Sequence, residues 1–205
     1  MKYKTDDLLQ RAERDEKHSS VASAEKTFAD EAASEKFFSL LKTKLEDVHE
    51  WNAHALLTSF ELFDENGRAL ETQKITVGAF LRISLTGAIK YDWVRVENVD
   101  DTPLEFIIRV RPTFDPTDED GDKSVISHFF TGESVNNFCL YRKANTVALR
   151  VIGLNEKLNS GETSGTLETV RNAAVNLGSY LGVQRGEWEK FCHHFMEDYA
   201  DAKSV

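Results

Sequence analysis

The chain has 205 residues, a mass of 23.2 kDa and a formal net charge of -10 at pH 7. Such an acidic protein repels phosphate backbones and anionic membrane surfaces, so we expect neither nucleic acid nor a membrane as a partner. The length suits one hydrophobic core and is short for two full domains. A hydrophobic fraction of 40% and a mean hydropathy of -0.43 are typical of a globular protein rather than a disordered one.

The first residues are mostly charged or polar and contain no apolar stretch of signal-peptide length. No apolar run along the chain is long enough to cross a membrane. The two cysteines, Cys139 and Cys192, lie far apart and form no CxxC motif. We therefore predict a cytoplasmic protein with two buried free thiols rather than a disulfide.

In chain order, residues 1–18 are almost entirely polar and predict a tail or a frayed helix. Residues 19–205 predict a single α+β domain. Ala, Glu, Lys and Phe dominate from Ser19 onwards and favour one helix over about 20–50. Phe37, Leu41 and Leu45 recur at helical spacing, so one face of this helix must pack on a sheet or on a partner.

After residue 55 the apolar period changes from helical to alternating, which predicts strands. These strands are expected near 56–62, 80–85, 93–97, 104–111, 124–131, 136–143 and 146–154. Their short connections favour antiparallel pairing.

The segment 104–111 has the clearest alternation of all the predicted strands, and Pro112 ends it. We predict one buried face, made of Leu104, Phe106, Ile108 and Val110. Glu105, Arg109 and Arg111 should then lie on the opposite, wetter face.

The last third returns to helical spacing. One apolar stripe runs from Leu167 to Leu181 and should end at Gly182. A second stripe contains Trp188, Phe191, Phe195 and Tyr199, which we expect to pack inward. The fold class is therefore α+β, with a mainly antiparallel sheet of seven or eight strands, an N-terminal helix and two C-terminal helices packed on it.

Several short blocks resemble a family of bacterial proteins to which no function is assigned. The blocks are Tyr91-Asp92-Trp93-Val94, Arg109-Val110-Arg111-Pro112, Ser127-His128-Phe129-Phe130, Asn155-Glu156 with Asn159, and Arg171-Asn172. The resemblance covers about 51–195 and implies no activity. The order of the elements is similar to that of the helix-grip (START-like) domains, in which an antiparallel sheet curls around a C-terminal helix.

Motifs for metals, cofactors and covalent catalysis do not stand out in the chain. The acidic loop 115–122 lacks the ligand pattern of an EF-hand, because Pro116 and Ser127 would occupy its first and twelfth positions. Ser127 and His128 are consecutive and would point to opposite faces of a strand. No nucleophile elbow, P-loop or dinucleotide fingerprint occurs, so we predict no metal and no cofactor.

Arginine is concentrated in the predicted strands. Six of the eleven arginines lie there: Arg82, Arg95, Arg109, Arg111, Arg142 and Arg150. Guanidinium groups on one face of a sheet can hold a carboxylate or a phosphate through paired hydrogen bonds. The alternative is that each arginine pairs across strands with Glu61, Glu97 or Glu105 on a solvated face.

We therefore predict an anion-friendly patch made of Arg95, Arg109, Arg111 and His128 beside Trp93. The favoured function is a non-catalytic binding or interaction module for a small anionic or amphipathic ligand. Two alternatives stay open: a homo-oligomerising protein that uses the 20–50 helix, and an enzyme whose site includes His128 and Arg109.

Overall fold

The computed structural model describes residues 4–55, 58–86, 91–159 and 185–197. Within them, seven strands form one fully antiparallel sheet in the order β1-β7-β6-β5-β4-β3-β2. The strands are β1 (Ser19–Thr27), β2 (Thr58–Phe63), β3 (Phe80–Leu85), β4 (Asp92–Asp101), β5 (Glu105–Pro112), β6 (Val135–Lys143) and β7 (Thr146–Leu154). The predicted α+β class with an antiparallel sheet is confirmed.

Helices lie on both faces of this sheet. They are α1 (Lys4–Arg14), α2 (Glu31–Leu45), α3 (Val48–His54) and α4 (185–197). Asp30 caps α2 by accepting a hydrogen bond from the backbone N–H of Ala33 at 2.8 Å, which satisfies a donor that the helix itself cannot. The other predicted C-terminal helix, from Leu167 to Leu181, lies outside the described residues.

The prediction of one helix over 20–50 is wrong in its first third. Residues 19–27 form β1, which pairs with β7 over its whole length. Ala22 and Ala24 are buried, whereas Ser23 and Glu25, which alternate with them, are exposed, so the segment has the period of a strand despite its helix-favouring composition. The remaining part is two helices, α2 and α3, with Asp47 capping the second.

The predicted strand at 124–131 is also wrong. This segment is a loop that lies against the sheet without joining it. Its Ser127 accepts a hydrogen bond from the backbone N–H of Trp93 and donates one to the carbonyl of Thr113, both at 2.9 Å. Phe130 forms an isolated bridge with Leu158. β1 takes the place of this segment in the count of seven strands.

The inner face of the sheet is the face that α2, α3 and α4 cover, and it carries the main core. An aromatic group fills its centre: Trp51, Phe60, Phe138, Trp188, Phe191 and Phe195. The Trp51 ring lies 4.5 Å from the Phe138 ring, centroid to centroid, and Trp188 lies 5.2 Å from Phe138. The predicted inward packing of α4 is thus confirmed for the residues described, while Tyr199 lies outside them.

The apolar residues of α2 also belong to this core. Phe37, Phe38, Leu41 and Leu45 are between 0% and 6% exposed. The face that could have served a partner chain is therefore used inside the domain.

The outer face of the sheet is partly covered by α1. Leu8 and Ala12 of this helix pack on Ile107, Cys139 and Ile152. The 1–18 segment was predicted as a tail or a frayed helix, whereas residues 4–14 form a helix that rests on the sheet. The boundary between that segment and a domain at 19–205 stays a prediction.

The alternation of β5 is confirmed for Phe106, Ile108 and Val110, which are buried on the inner face, and for Arg109 and Arg111 on the outer face. Leu104 precedes the strand and is only partly buried. Glu105 departs from the prediction, because it is 7% exposed rather than wet. Its carboxylate accepts hydrogen bonds from the backbone N–H groups of Lys4 and Thr5, both at 3.0 Å, at the start of α1.

Side-chain amides occupy the free edge of β2. Asn52 donates to the carbonyl of Phe60 at 2.9 Å and accepts from its N–H at 2.7 Å. Gln73 accepts from the N–H of Leu62, and the carbonyl of Leu62 accepts from Leu70, both at 2.8 Å. The outward backbone groups of two residues of this edge strand are thereby satisfied.

Both cysteines are free and fully buried, as predicted. Cys139 lies under α1 on the outer face, and Cys192 lies in the main core. Burial raises the pKa of each thiol to about 12. Neither sulfur is therefore a thiolate at neutral pH, which makes both thiols unreactive.

Candidate functional site

A groove of about 460 Å³ lies on the outer face beside β4 and the end of β5. We call it the arginine groove. Its lining consists of Val77, Gly78, Arg95, Val96, Glu97, Arg111, Pro112 and Thr113. Its size falls within the range of pockets that bind small molecules.

Backbone hydrogen bonds to β4 hold both walls of the groove. On one side, the N–H of Gly78 donates to the carbonyl of Val96 at 2.8 Å, and Val96 donates back to Ala79 at 2.9 Å. Gly78 has φ +94°, a conformation that a residue with a side chain rarely adopts. On the other side, Thr113 donates to the carbonyl of Trp93 at 2.9 Å. The groove is therefore preformed.

Arg95 and Arg111 are direct cross-strand partners in the β4–β5 ladder, on the outer face. Two like charges placed opposite each other destabilise a sheet unless something compensates them. A register shift between Val96 and Asn98 inserts an extra residue, Glu97, next to this pair. Glu97 accepts a hydrogen bond from Nε of Arg111, and Nη1 of Arg111 donates to the carbonyl of Gly132 at 2.8 Å. Arg111 is thus neutralised locally.

Arg95 has a different environment. Its guanidinium lies 5.6 Å from the centroid of the Phe80 ring, and its side chain is exposed. No acidic residue in the described part of the chain forms an ion pair with it. Stacking on a ring face uses the π-system of the guanidinium and leaves its N–H donors available.

Arg109 lies on the same face but in a second groove, of about 320 Å³, between α1 and the sheet. Its Nε donates to Oδ1 of Asn137 at 3.1 Å. Lys4 of α1 lines this second groove and binds Asp100 at 2.6 Å. Of the three arginines predicted to act together, the structure places Arg95 and Arg111 in one groove and Arg109 in the next.

Trp93 is 0% exposed and does not line the arginine groove. It packs on Phe63, with 5.0 Å between ring centroids, and belongs to a small cluster with Phe80. Because this indole is buried, it offers a ligand no ring face to stack on at the surface. Trp93 instead supports the strand that carries Arg95.

His128, predicted as part of the anion-friendly patch, is 2% exposed. Its Nδ1 accepts a hydrogen bond from the backbone N–H of Phe130 at 2.9 Å, so this nitrogen carries no proton. Burial lowers the pKa of His128 to about 3. The imidazole is therefore neutral at physiological pH and cannot attract an anion by charge.

The geometry also separates His128 from Arg109. Ser127, next to His128, bonds to Trp93 on β4, whereas Arg109 is paired with Asn98 five residues further along that strand. Five residues of extended chain span about 17 Å. The two residues named in the enzyme alternative therefore lie at different positions along β4, and that alternative stays a prediction.

Cross-strand ion pairs account for other arginines of the sheet. Arg82 pairs with Glu61, as the solvated-face alternative predicted, and Arg150 lies 3.8 Å from Glu25. Arg142 donates to the carbonyl of Ala144 at 3.3 Å. Arg95 differs from Arg82 and Arg150 in having no such anionic partner among the residues described.

Sequence reasoning missed Val77, Gly78 and Thr113 as parts of the groove. The pair Val77-Gly78 precedes β3, and a glycine there signals a turn. Nothing local indicates that this turn folds back onto β4, because the hydrogen bonds that hold it there join Gly78 and Ala79 to Val96, far along the chain.

No group of three or more His, Cys, Asp or Glu in the described ranges is arranged to hold a metal ion. In the same residues, no helix is both long and apolar enough to cross a membrane.

These features define a class: an antiparallel α+β domain with helices on its inner face and an arginine groove on its outer face. No protein-family profile and no curated protein matches the chain by sequence. The resemblance to a bacterial family therefore stays a prediction. The similarity to the helix-grip order of elements likewise stays a prediction.

Solved structures with some likeness to the chain include a hypothetical protein from Helicobacter pylori (12% identity, TM-score 0.47), which covers 85% of this chain and 87% of that one. The di-domain ARO/CYC protein StfQ from the steffimycin biosynthetic pathway has 12% identity and a TM-score of 0.49 over 95% of this chain. This chain spans 56% of the length of StfQ. A major latex-like protein from Panax ginseng has 13% identity and a TM-score of 0.35, covering 82% of this chain and 97% of that one. Function must be argued from the groove itself.

Proposed function

We propose that the chain is a non-catalytic binding module for a small anion, and that the arginine groove is its binding site. The observation that carries the proposal is the state of Arg95. This exposed guanidinium faces Arg111 across the ladder, with no carboxylate of its own among the described residues. The surrounding chain has ten excess negative charges, so acidic partners are abundant elsewhere.

A bound anion would relieve the repulsion between the two guanidinium groups. Arg95 offers a planar fork of N–H donors that matches a carboxylate or a phosphate. Arg111 lies opposite and adds positive potential, although Glu97 and Gly132 already use part of its donors. Because both walls of the groove are fixed by backbone hydrogen bonds, binding requires little ordering of the protein.

The remaining predicted residues have supporting roles in this proposal. Arg109 adds positive potential from the adjacent groove. Trp93 holds the strand beneath Arg95, and His128 orders the loop that bonds to Trp93.

The test is a thermal-shift titration with acetate and inorganic phosphate at constant ionic strength. An anion at 100 times its dissociation constant should stabilise the native state by about 2.7 kcal/mol. Arg95→Gln should abolish the shift because the fork is lost. Arg95→Lys should retain only part of it, since a lysine keeps the charge without the paired geometry.

Arg14→Gln is the matched control, because Arg14 is an exposed arginine at the end of α1 and lines neither groove. This variant should respond to both anions as the wild type does. A shift of equal size in wild type and Arg95→Gln, or no shift with either anion, would overturn the proposal.

A further inference from the structure

The charges that line the arginine groove add up to a single unbalanced cation. Arg95 and Arg111 contribute two positive charges, and Glu97 contributes one negative charge. Glu97 is hydrogen-bonded to Arg111, so the excess charge is at Arg95. A ligand with one anionic group would neutralise this excess charge. A second anionic group would approach the carboxylate of Glu97 and be repelled.

Apolar surface faces the same space. Val77 is 61% exposed, the largest exposure among the large hydrophobic residues of the described chain that stand out as exposed. Val96 and Pro112 also border the groove, but both are buried, so Val77 supplies its accessible apolar surface. A ligand made only of charged and hydroxyl groups would leave this wall in contact with water or with polar atoms. A ligand with an apolar body would cover it and gain free energy from burial.

The relative positions of Arg95 and Val77 set the orientation of the ligand. An added Cβ at Gly78 would lie 3.8 Å from Nη2 of Arg95, so the guanidinium rests directly against the turn that carries Val77. The cation and the apolar wall are therefore neighbours. An anionic head at Arg95 brings the first carbons of its tail to Val77.

From this juxtaposition we infer that the arginine groove selects a monoanionic amphipathic carboxylate, with its head on Arg95 and its aliphatic part against Val77. The inference rests on the proposed anion site and narrows its ligand class. Polyanionic metabolites are disfavoured by Glu97, and short hydrophilic acids lack the part that would cover Val77.

Isothermal titration calorimetry with a homologous series tests this selection. Acetate, butyrate and hexanoate share one head group, and succinate adds a second carboxylate to the four carbons of butyrate. Affinity should rise along the series by up to about fourfold for each methylene that becomes buried, the equivalent of roughly 0.8 kcal/mol. Succinate should bind more weakly than butyrate.

Two variants distinguish the contribution of the anionic head group to binding from that of the aliphatic tail. Val77→Ser should flatten the dependence on chain length and leave acetate binding unchanged. Arg95→Gln should weaken every member of the series by tenfold or more. Val125→Ser is the matched control, because Val125 is 57% exposed and lies outside the groove. This control should keep the wild-type dependence on chain length.

The outcomes distinguish the two proposals. Arg95-dependent binding of acetate with no gain along the series, or tighter binding of succinate than of butyrate, overturns the ligand class and leaves the anion site standing. A chain-length effect that Val125→Ser removes and Val77→Ser retains overturns it as well. If no member of the series and no inorganic phosphate binds in an Arg95-dependent way, both proposals fail.

Discussion

At the scale of single residues, His128 shows how burial changes the meaning of a functional-looking side chain. The sequence places it between serine and two phenylalanines, and an exposed histidine there would be a cation at mildly acidic pH. In the fold its ring stacks on Phe129, with 4.6 Å between centroids, and its Nδ1 accepts a hydrogen bond from the backbone N–H of Phe130. The residue orders a loop and carries no charge.

This burial predicts a dependence of stability on pH. The unfolded chain binds a proton at His128 below about pH 6.5, whereas the folded protein does not until about pH 3. The contribution of His128 to the free energy of unfolding is therefore complete above pH 6.5 and falls by about 1.4 kcal/mol per unit as the pH decreases towards 3. His128→Asn can keep an acceptor for Phe130 and should remove this slope.

Chemical denaturation between pH 7 and pH 4 measures the difference between wild type and variant. The control is His193→Asn, since His193 is exposed on α4. Its stability should follow the wild-type pH curve. Parallel curves for wild type and His128→Asn would show that the imidazole does not stay neutral in the folded state.

At the scale of elements, α1 illustrates a contact that no local pattern could predict. Its first N–H groups need acceptors, and Glu105 supplies them from a strand 100 residues further along the chain. The alternation of β5 correctly placed Glu105 on the outer face. The alternation could not reveal that a helix covers that position and turns a solvated carboxylate into a buried cap.

We expect Glu105→Ala to release α1 from the sheet, because two N–H groups lose their acceptor. The cost should be about 1–3 kcal/mol. Hydrogen exchange should speed up at the amides of α1 while those of β3 and β4 stay protected. Glu133→Ala is the control, since Glu133 is exposed and its carboxylate pairs with the exposed Lys157. Slow exchange of α1 in Glu105→Ala would show that the apolar contacts of Leu8 and Ala12 hold the helix without the cap.

β1 was missed for a related reason. Its alanines, glutamate and lysine favour a helix by intrinsic propensity. Its partner strand, β7, lies more than 100 residues away, and pairing along nine residues outweighs that preference. The strands predicted correctly, such as β5, have bulky residues on the buried face, so their period is visible locally. In β1 the buried positions are small.

At the scale of the whole molecule, α4 closes the main core. Trp188 is 8% exposed and contacts the rings of Phe60, Phe138 and Phe191. Trp188→Ala should lower the free energy of unfolding by about 3–5 kcal/mol through lost burial and a residual cavity. His193→Ala, at an exposed position on the same helix, serves as the control for helix propensity. Equal melting temperatures for Trp188→Ala and wild type would show that α4 contributes nothing to the core.

The arginine groove could be predicted only in part. Alternation places Arg95 and Arg111 in strands, and an acidic chain makes their concentration noticeable. That they face each other depends on the length of the β4–β5 turn and on the extra residue at Glu97, which together set the register. The apolar wall at Val77 depends on a turn that folds back onto β4. Both arrangements depend on contacts between residues distant in the chain, which the periodicity of a single segment cannot predict.

The occupied edge of β2 has a consequence for how copies of this protein can associate. A fibre grows head to tail when the first strand of one sheet pairs with the last strand of the next, and this requires two open edges. Asn52, Gln73 and the backbone of Leu70 already fill the outward hydrogen-bonding positions of Phe60 and Leu62, so β2 offers no template at those positions. Among the described strands the other edge is β1, and pairing through it would join β1 to β1 of a second copy. That contact is two-fold symmetric and uses up both open edges at once, so assembly along the sheet would stop at two molecules.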